Sequence, residues 1–324
     1  MPQRVLITGG AGFIGSHVAE RFLDAGWAVE IADDLSTGKR EHVSDRSKLH
    51  VLDVRSRDTA VLVASGGFDV VVHLAAQMDV RRSVADPVFD AWVNVIGTLT
   101  LAEAIRQGGR VGKTRLVFAS TGGALYGDFV TPPNRETAAK DPESPYAISK
   151  LSAEYYLAYY GRVHGLDSVA LRFGNVYGPR QDPHGEAGVV AIFCRRILEG
   201  RALTVFGDGE QTRDYVYVRD VADATYIAAT SPLPAAGRTD ARGINIGTGV
   251  ATSVNELART LLRAAGSQVG IEYAPPRPGE QQHSVLVVEK AAEVLGWRPS
   301  VAVADGLAET YRWFASRART AVHA

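Results

Sequence analysis

The sequence predicts a doubly wound α/β fold, in which helices cover both faces of a mostly parallel sheet. Three observations predict it: short apolar runs alternate with helical segments in the first half, a glycine-rich turn joins the first run to the first helix, and loops become longer and richer in Gly and Pro after about residue 173. Right-handed crossovers then place the carboxyl ends of the strands on one edge of the sheet, where ligands bind. A smaller α/β portion is expected over residues 174–324.

The expected strands of the large sheet are short and apolar. Runs that are apolar almost throughout are typical of strands buried on both faces. From residue 13 to 25 apolar residues recur at helical spacing, and Gly26 follows as a stop. The six runs are Arg4–Thr8, 28–32, 50–52, 70–74, 116–119 and 168–171, and the longer helical segments are 89–107 and 146–164. The shorter strands expected later are Leu203–Phe206, 215–218, 244–246 and 271–273.

The composition is that of an ordinary soluble protein. Of 324 residues, 46% are hydrophobic and 22% charged, which is enough apolar surface for a sizeable core. The formal net charge is −1, so nothing draws the whole molecule to nucleic acid or to an anionic membrane. Cys194 is the single cysteine and is expected to be buried and inert, which fits a reducing cytoplasm. The sequence has no run of about 18 apolar residues, and its histidines lack metal-ligand spacing.

The turn after the first strand has the sequence Thr-Gly-Gly-Ala-Gly-Phe-Ile-Gly over residues 8–15. The spacing of Gly9, Gly12 and Gly15 differs by one residue from the commonest dinucleotide-binding fingerprint, but the physics is the same. Glycine permits a tight turn and lets backbone N–H groups approach a pyrophosphate, while the helix N-terminus offers unsatisfied donors and a partial positive charge. Taken alone, three glycines near a helix start are equally consistent with a plain turn.

An acidic residue after the second strand favours the functional interpretation. Asp33 follows Gly15 at the distance where a carboxylate accepts hydrogen bonds from the adenosine ribose hydroxyls. It would repel a 2′-phosphate, so the expected cofactor is NAD rather than NADP, although Lys39 and Arg40 lie nearby. Asp53, after the third strand, is placed either to meet the adenine or to cap the strand. Residues 1–173 are thus predicted to form a Rossmann-type NAD-binding domain, with a returning contribution near 215–247.

A tyrosine and a lysine stand four residues apart at the start of the helix at 146–164. On a helix Tyr146 and Lys150 project from one face, and Pro145 suits a helix start. An ammonium near a phenol favours the phenolate and lowers its pKa, and the positive nicotinamide ring of NAD+ adds to this effect. A tyrosine tuned in this way acts as a general base near neutral pH. Without further context, this spacing usually marks no more than an exposed helix face.

Several short motifs follow one another in a fixed order. The glycine turn is followed by His-Leu-Ala-Ala-Gln at 73–77, Ser-Thr-Gly-Gly-Ala-Leu-Tyr-Gly at 120–127 and the Tyr-Lys pair, then by Arg-Phe-Gly-Asn-Val-Tyr-Gly-Pro at 172–179 and Arg-Asp-Tyr at 213–215. This order closely resembles the extended short-chain dehydrogenase/reductases that act on nucleotide sugars, the NAD-dependent epimerase/dehydratase family. The resemblance runs from residue 3 to about 315, and its motifs are specific together but weak singly.

The resemblance implies a role for each matching position. Thr121 takes the place of the catalytic Ser/Thr that bridges the substrate hydroxyl and Tyr146, and Lys150 also holds the nicotinamide ribose. The positions implied to bind the cofactor are Gly9, Gly12, Phe13, Ile14, Asp33, Asp34, Ser36, Thr37, Gly38, Asp53, Val54, Leu74, Ala75, Ala76, Gln77, Asn94, Ser120, Tyr146, Lys150, Phe173 and Val176. The positions implied to bind the sugar nucleotide are Val80, Thr121, Tyr146, Asn175, Gly188, Val189, Thr204, Val205, Phe206, Arg213, Arg277 and Glu280.

Arginines are implied to clamp the diphosphate. The planar guanidinium groups of Arg213 and Arg277 suit this role because they donate bidentate, charge-assisted bonds, although a surface salt bridge is the alternative for each. Glu280 is implied to accept from the second ribose, or it is simply a surface charge. The loop after Thr121 is one residue longer than in many relatives. Aligned from the strand side, it makes Thr121 catalytic and Ser120 a cofactor neighbour.

The resemblance also implies the first step of the reaction, in which Tyr146 removes the 4-hydroxyl proton and NAD+ oxidises C4 to a ketone. The family's 4,6-dehydratases carry an Asp-Glu pair directly after the catalytic Thr, and its UDP-xylose synthases usually carry a Glu there. This chain has Gly122 and Gly123 instead. An elimination that needs a positioned acid and base therefore lacks its groups. We expect 4-epimerisation, in which the keto sugar turns, is reduced on its other face and regenerates NAD+.

The expected substrate pair is UDP-glucose and UDP-galactose. UDP-glucuronate is the main alternative, because Arg180, Arg81 or Arg82 would suit a C6 carboxylate. A dTDP-sugar epimerase, a 4,6-dehydratase and a reductase that releases its product sugar are further alternatives. A protein that binds NAD without catalysis is a rival from another class, but such relatives usually lose the tyrosine or the lysine.

The sequence also gives expectations for the assembly and cellular location of the protein. An aromatic stripe on the helix at 146–164 is formed by Tyr155, Tyr156, Tyr159 and Tyr160. The family typically pairs this helix and the one at 89–107 with their symmetry mates in a four-helix bundle, so a C2 homodimer is expected. We expect a cytoplasmic enzyme with no metal and no nucleic-acid or membrane partner.

Overall fold

The computed structural model describes residues 2–184, 188–277 and 281–322. Its strands are β1 Arg4–Thr8, β2 Ala28–Asp33, β3 Lys48–Val51, β4 Val70–His73, β5 Arg115–Thr121, β6 Asp167–Phe173, β7 Asn175–Tyr177, β8 Leu203–Phe206, β9 Thr212–Tyr217, β10 Gly243–Ile246, β11 Ala251–Ser253, β12 Ile271–Ala274 and β13 His283–Ser284. Seven of these form one parallel sheet in the order β3-β2-β1-β4-β5-β6-β10. This is the predicted Rossmann-type arrangement, in which the strand order reverses between β1 and β4.

Helices cover both faces of the large sheet. They are α1 Phe13–Asp24, α2 Arg57–Ser65, α3 Val80–Ala85, α4 Pro87–Ala91, α5 Gly97–Gln107, α6 Pro145–His164, α7 Val189–Leu198, α8 Val218–Thr230, α9 Val254–Ala265, α10 Glu289–Leu295 and α11 Val303–Val322. A wider π-helical turn, Trp92–Ile96, joins α4 to α5. Alternate residues of β1 show the layering: Val5 and Ile7 pack with α1 and α8, whereas Leu6 packs with α2, α5 and α6. The doubly wound prediction is therefore confirmed.

The second half adds smaller sheets and a third core. β9 pairs with β7, β11 and β13, and β8 pairs with β12. α7, α9 and α11 pack around a separate apolar cluster that includes Phe193, Leu257 and Leu307. The strand predicted at 215–218 begins earlier, at Thr212, because its polar first residues pair with β11 and β13. β10 returns to the large sheet beside β6, and the division at residue 173 stays a prediction.

The continuous helix Pro87–Gln107 has the length and apolar composition to cross a membrane, as the one such segment within the described ranges. Nearly half of it is buried inside the protein. Leu101 and Ile105 lie fully buried in the core beneath the sheet.

Candidate functional site

The glycine turn between β1 and α1 has no room for side chains at two positions. Gly9 has a φ of +71°, and a Cβ there would lie 2.6 Å from the backbone nitrogen of Ala75. A Cβ on Gly15 would lie 2.1 Å from the Gly9 carbonyl oxygen. α1 begins directly after Gly12 without a side-chain cap, so its first N–H groups are left for a ligand. This shape fits the predicted dinucleotide pyrophosphate.

The Asp33 carboxylate lies at the end of β2 against the glycine turn. One oxygen accepts a hydrogen bond of 2.9 Å from the Ala11 N–H, and the other accepts one of 2.9 Å from the Leu35 N–H. A Cβ on Gly38 would lie 2.6 Å from the carboxylate, so the loop can close over it only with glycine. Burial raises the pKa of Asp33, and these N–H groups oppose the rise. The carboxylate therefore joins the turn to the place where a ribose is expected.

The neighbouring acidic residues are engaged within the loops that follow β2 and β3. Asp34 accepts hydrogen bonds from the backbone N–H and the hydroxyl of Ser36, at 2.9 and 2.6 Å. Asp53 pairs with Arg55, whose guanidinium lies 2.5 Å away and holds the pKa of the carboxyl below its usual value. The pairing favours the structural interpretation of Asp53, and its contact with adenine stays a prediction.

The three predicted catalytic residues lie on two adjacent elements. Thr121 ends β5, and α6 carries Tyr146 and Lys150 in its first two turns. The Lys150 ammonium donates a hydrogen bond of 2.8 Å to the Ala119 carbonyl oxygen of β5 and lies 5.9 Å from the centre of the Tyr146 ring. Pro145 and the Ser144 cap start the helix, because the Ser144 hydroxyl accepts from the Ala147 N–H. The lysine thus bridges the helix and the strand that carries Thr121.

The electrostatics of this pair differ from the expectation. Burial raises the pKa of the Tyr146 phenol well above its usual value, and the Asp90 carboxylate adds to the rise. Burial lowers the pKa of Lys150 to about 8, while Asp90 and Glu154 oppose that change. The predicted lowering of the tyrosine pKa, which also relied on bound NAD+, is not found in the chain alone, because burial and the Asp90 carboxylate raise that pKa. A phenolate at this site needs a further positive charge.

A buried polar clasp lies beside the catalytic pair. The Gln77 N–H donates to the Asn94 side-chain oxygen at 3.0 Å, and the Asn94 amide donates to the Gln77 carbonyl oxygen at 2.9 Å. Both side-chain amides also donate to Asp90 Oδ1, at 2.9 and 3.0 Å. Gln77 and Asn94 were predicted as cofactor and lysine neighbours. Asp90 was not predicted, and its only signal in the sequence is a carboxylate one helical turn before Asn94.

The Ser120 hydroxyl points away from the predicted cofactor edge. It donates to the Glu154 carboxylate at 2.5 Å, because successive side chains of β5 point to opposite faces and Thr121 occupies the other one. Glu154 also forms a buried ion pair with Arg172 at 2.6 Å. The Ser120 hydroxyl is thus engaged within the protein, and its place beside the cofactor stays a prediction.

The two residues after Thr121, Gly122 and Gly123, lie close to neighbouring side chains. A Cβ on Gly122 would lie 2.6 Å from Leu286 Cδ1. A Cβ on Gly123 would lie 3.3 Å from Asn175 Oδ1 and 4.0 Å from Thr121 Oγ1. A side chain at Gly123 would therefore enter the space between the predicted catalytic and sugar-binding residues.

The side chains of the predicted nucleotide-binding residues of β8 point alternately to the two faces of the strand. Val205 is fully buried in the third core, whereas Thr204 and Phe206 lie on the opposite face of the strand. The Val205 side chain therefore belongs to the core, and a role of this residue in substrate binding stays a prediction. The Arg277 guanidinium lies 3.9 Å from the centre of the Phe206 ring, so these two predicted neighbours are in contact. Glu280 lies outside the described residues.

The other predicted sugar-nucleotide residues belong to several elements. Arg213 donates to the carbonyl oxygens of Gln281 and Gln282, at 2.7 and 3.4 Å, which ties its guanidinium to the segment after Arg277. Gly188 caps α7 and Val189 begins it, both half-buried. The remaining residues of both predicted sets belong to the first or last turns of helices, to strands or to the loops that follow them; they are Phe13, Ile14, Thr37, Val54, Leu74, Ala76, Val80, Phe173 and Val176.

Comparison with known proteins identifies relatives along the whole chain. Residues 5–247 match the model of the NAD dependent epimerase/dehydratase family. A UDP-glucose 4-epimerase of Mycolicibacterium smegmatis is 44% identical over 322 residues, which cover 98% of this chain and 100% of the relative. The solved structure of a UDP-glucose 4-epimerase with UDP-glucose from Thermotoga maritima has a TM-score of 0.92 at 42% identity and covers 98% of this chain and 100% of that one. A UDP-glucose 4-epimerase of Thermus thermophilus in complex with NAD has a TM-score of 0.87 at 45% identity and covers 97% and 99%.

The sequence motifs, the seven-stranded sheet and these full-length matches agree. The glycine turn, Asp33 and the Tyr146–Lys150 pair lie along the carboxyl edge of the sheet, as the family resemblance implies. The chain belongs to the NAD dependent epimerase/dehydratase family, and its cofactor is NAD.

Proposed function

We propose that the protein is a UDP-glucose 4-epimerase, which interconverts UDP-glucose and UDP-galactose through a transient 4-keto sugar. The observation that carries the proposal is the placement of the Tyr146–Lys150 pair beside the end of β5. There Thr121 is followed by two glycines and by no carboxylate. The full-length similarity to relatives that bear this name supports the same reaction.

The chain's own residues divide the work between holding and proton transfer. The N–H groups at the start of α1 and the Asp33 carboxylate would hold the dinucleotide, which when bound oxidises the sugar at C4 and reduces it again. Thr121 orients the sugar 4-hydroxyl toward Tyr146. The Tyr146 phenolate accepts the hydroxyl proton and later returns it to the 4-keto oxygen. Lys150 keeps positive charge beside that phenol throughout.

Epimerisation fits the loop after Thr121 better than elimination does. Loss of water from C6 requires an acid and a base placed next to the keto sugar. Gly123 faces Asn175 and Thr121 and carries no such group. The space that its missing side chain leaves is available for the keto sugar to turn over about its diphosphate bond.

A neutral hexose fits the arginines better than a hexuronate. The Arg180 guanidinium pairs with Glu20 on α1, so it is engaged on the cofactor side of the molecule. The Arg82 guanidinium lies 4.3 Å from the centre of the Phe89 ring. Neither arrangement favours a clamp for a C6 carboxylate by Arg180 or Arg82, and we rank UDP-glucuronate below UDP-glucose.

The decisive assay supplies UDP-galactose to the purified protein without added NAD and measures UDP-glucose. We expect many turnovers per molecule of bound NAD, and loss of turnover in Tyr146→Phe. A panel with UDP-glucuronate and dTDP-glucose ranks the sugars and reports any release of carbon dioxide or water. Consumption of one NAD per product, or an eliminated product, would overturn the proposal.

We also propose a cytoplasmic homodimer. Tyr155, Tyr156 and Tyr159 on α6 are exposed, as are Val88 and Trp92 on the neighbouring helix, and together they form an apolar surface that a second copy would cover. Tyr160 does not belong to this surface because it is buried and donates a hydrogen bond to Glu103.

Sedimentation measurements test the dimer with two matched variants. Trp92→Ser removes an apolar group from the proposed surface and should convert dimer to monomer. Val250→Ser removes one that is equally exposed on a distant loop and should leave the mass unchanged. A wild-type protein that sediments as a monomer would refute the assembly without affecting the proposed reaction.

A further inference from the structure

We propose that Asp90 is a positioning residue that supplies the buried counter-charge of Lys150. Through Lys150 it keeps the Tyr146–Lys150 pair in the charge state that proton transfer needs. This inference rests on the proposed function and assigns a role to a residue outside the catalytic motif.

The Asp90 carboxylate is fully buried and satisfied on one side only. Its Oδ1 accepts hydrogen bonds from the side-chain amides of Gln77 and Asn94, at 2.9 and 3.0 Å. Its Oδ2 is buried and has no hydrogen-bond partner within the part of the chain that the structure describes. A buried charged oxygen without a donor is destabilising unless a positive charge lies near it.

The surroundings hold this carboxylate in place. Gln77 and Asn94 bond to each other through two backbone–side-chain hydrogen bonds of 3.0 and 2.9 Å, so neither amide is free to rotate away. Asn94 lies in the π-helical turn Trp92–Ile96, which packs together with α4 against α6. The Asp90 charge is therefore fixed where α4 and the π-helical turn pack against α6, the helix that carries the catalytic pair.

The charged groups around Lys150 single out Asp90. Glu154 follows Lys150 by one helical turn, but Arg172 neutralises it in a buried pair of 2.6 Å. His73 is neutral, because burial lowers its pKa to about 3. Asp90 thus stands, among the described residues, as the carboxylate near Lys150 that has no cation of its own. It acts on both catalytic groups, opposing the effect of burial on the Lys150 pKa and adding to it on the Tyr146 pKa.

The effect on Lys150 serves proton transfer, whereas the effect on Tyr146 opposes ionisation of the phenol. An ammonium with raised proton affinity stays charged at a higher pH and continues to stabilise a phenolate. A phenol with raised pKa is the stronger base once it is ionised. Without the Asp90 charge, Lys150 would lose its proton at a lower pH and the site would lose its alkaline range.

Asp90→Asn removes the charge with almost no change of shape. Asp86→Asn is the matched control, because Asp86 is an exposed residue of the same helix start whose capping bond to the Phe89 N–H an asparagine retains. Asp90→Glu restores the charge on a longer side chain. If Asp90→Asn fails to fold, Asp90→Ser removes the charge with a smaller residue and is interpreted in the same way.

The first readout does not depend on turnover. The chain has six lysines, so ¹³Cε-lysine labelling of the NAD-loaded protein gives six resonances, and Lys150→Arg identifies the one of interest. We expect Asp90→Asn to lower the titration midpoint of Lys150 by about one pH unit or more. Asp86→Asn should leave the midpoint unchanged, and Asp90→Glu should restore most of it. An unchanged midpoint in folded Asp90→Asn would overturn the proposal.

The second readout is the pH profile of kcat with UDP-galactose. The alkaline limb should move to lower pH in Asp90→Asn, and activity above the limb should fall about tenfold for each pH unit by which the limb moves. A merely structural role would reduce activity equally at all pH values and would contradict the proposal. If the wild-type protein does not convert UDP-galactose, the proposed function fails, and the lysine titration still decides the role of Asp90.

Discussion

Two buried carboxylates lie at the catalytic helix, Glu154 on α6 itself and Asp90 on the neighbouring α4, and their charges are satisfied in different ways. Glu154 forms bonds of 2.6 to 3.2 Å with Arg172, which is itself fully buried and also bonds to Asp240. Asp90 receives hydrogen bonds from two neutral amides and from no cation within the described ranges. The first charge is neutralised where it stands and organises structure. The second remains available to act on Lys150.

The same contrast recurs at the cofactor edge. Asp53 is paired with Arg55, whereas Asp33 is held by backbone N–H groups alone. A carboxylate paired with an arginine is largely neutralised and attracts a ligand only weakly. One that accepts hydrogen bonds from neutral N–H groups keeps its net negative charge. The pairing of each carboxylate therefore separates structural from functional positions better than burial does.

The largest expected effect concerns the catalytic pair on which the unpaired Asp90 charge is proposed to act. Tyr146→Phe removes the proposed base and should lower kcat with UDP-galactose by about 10²–10⁴-fold, the range for general base catalysis. Thermal unfolding should be unchanged. Tyr159→Phe is the control, because it removes an exposed hydroxyl from the same helix and should keep full activity. A Tyr146→Phe protein with wild-type kcat would remove the chemical basis of the proposed function.

The second prediction disrupts the buried ion pair between Glu154 and Arg172. Arg172→Met leaves Glu154 buried without its cation and should lower the free energy of unfolding by about 3–5 kcal/mol, measured by urea denaturation. Arg219→Met is the control, since the Arg219–Glu309 pair is exposed and should contribute at most about 1 kcal/mol. Equal losses in the two variants would mean that the buried network carries no special weight.

The sequence predicts the large sheet and the catalytic motif because both depend on local patterns. Apolar runs and helical spacing identified the strands, and the four-residue spacing placed Tyr146 and Lys150 on one face of α6. Asp90 and Glu154 were not predicted, because their roles depend on partners from other elements. Glu154 pairs with Arg172 of β6, and Asp90 accepts hydrogen bonds from Gln77 and Asn94 where α4 and the π-helical turn pack against α6.

Two features of the predicted site follow from strand geometry. Side chains alternate along a strand, so those of Ser120 and Thr121 point to opposite faces of β5, and that of Val205 points away from those of Thr204 and Phe206. The motif resemblance assigned whole segments and ignored this alternation. The raised pKa of Tyr146 was beyond the sequence, because it follows from burial that no local pattern encodes.

A third prediction concerns His73, a buried imidazole whose hydrogen-bond partners are two neutral hydroxyl groups. The His73 ring lies between the hydroxyls of Thr8 and Thr98, at 2.8 and 3.1 Å, and burial lowers its pKa to about 3. The unfolded chain binds a proton near pH 6.5 and the folded one does not, so the stabilisation is complete above that pH and is lost as the pH falls toward 3. Between pH 6.5 and 5 the loss should be about 2 kcal/mol.

Urea denaturation at pH 7 and pH 5 checks this effect. His73→Gln should lose about 2 kcal/mol less than the wild type between the two pH values. His184→Gln, which changes an exposed histidine, should retain the wild-type pH dependence. Burial also lowers the pKa of His17, to about 4, so part of the wild-type slope should remain in His73→Gln. Identical slopes in the wild type and His73→Gln would show that His73 is not held neutral.

The smallest expected effect sharpens the comparison at the cofactor edge. Asp33→Asn keeps an acceptor but removes the charge that would face the ribose hydroxyls, and it should weaken NAD binding about tenfold, or about 1.5 kcal/mol. Asp53→Asn should change NAD binding by less than about threefold, because Arg55 already neutralises that carboxylate. Titration of the NAD-depleted protein by calorimetry measures both. If Asp53→Asn proved the more damaging, pairing with arginine would not mark a structural carboxylate, and the same reasoning applied to Asp90 and Glu154 would lose its support.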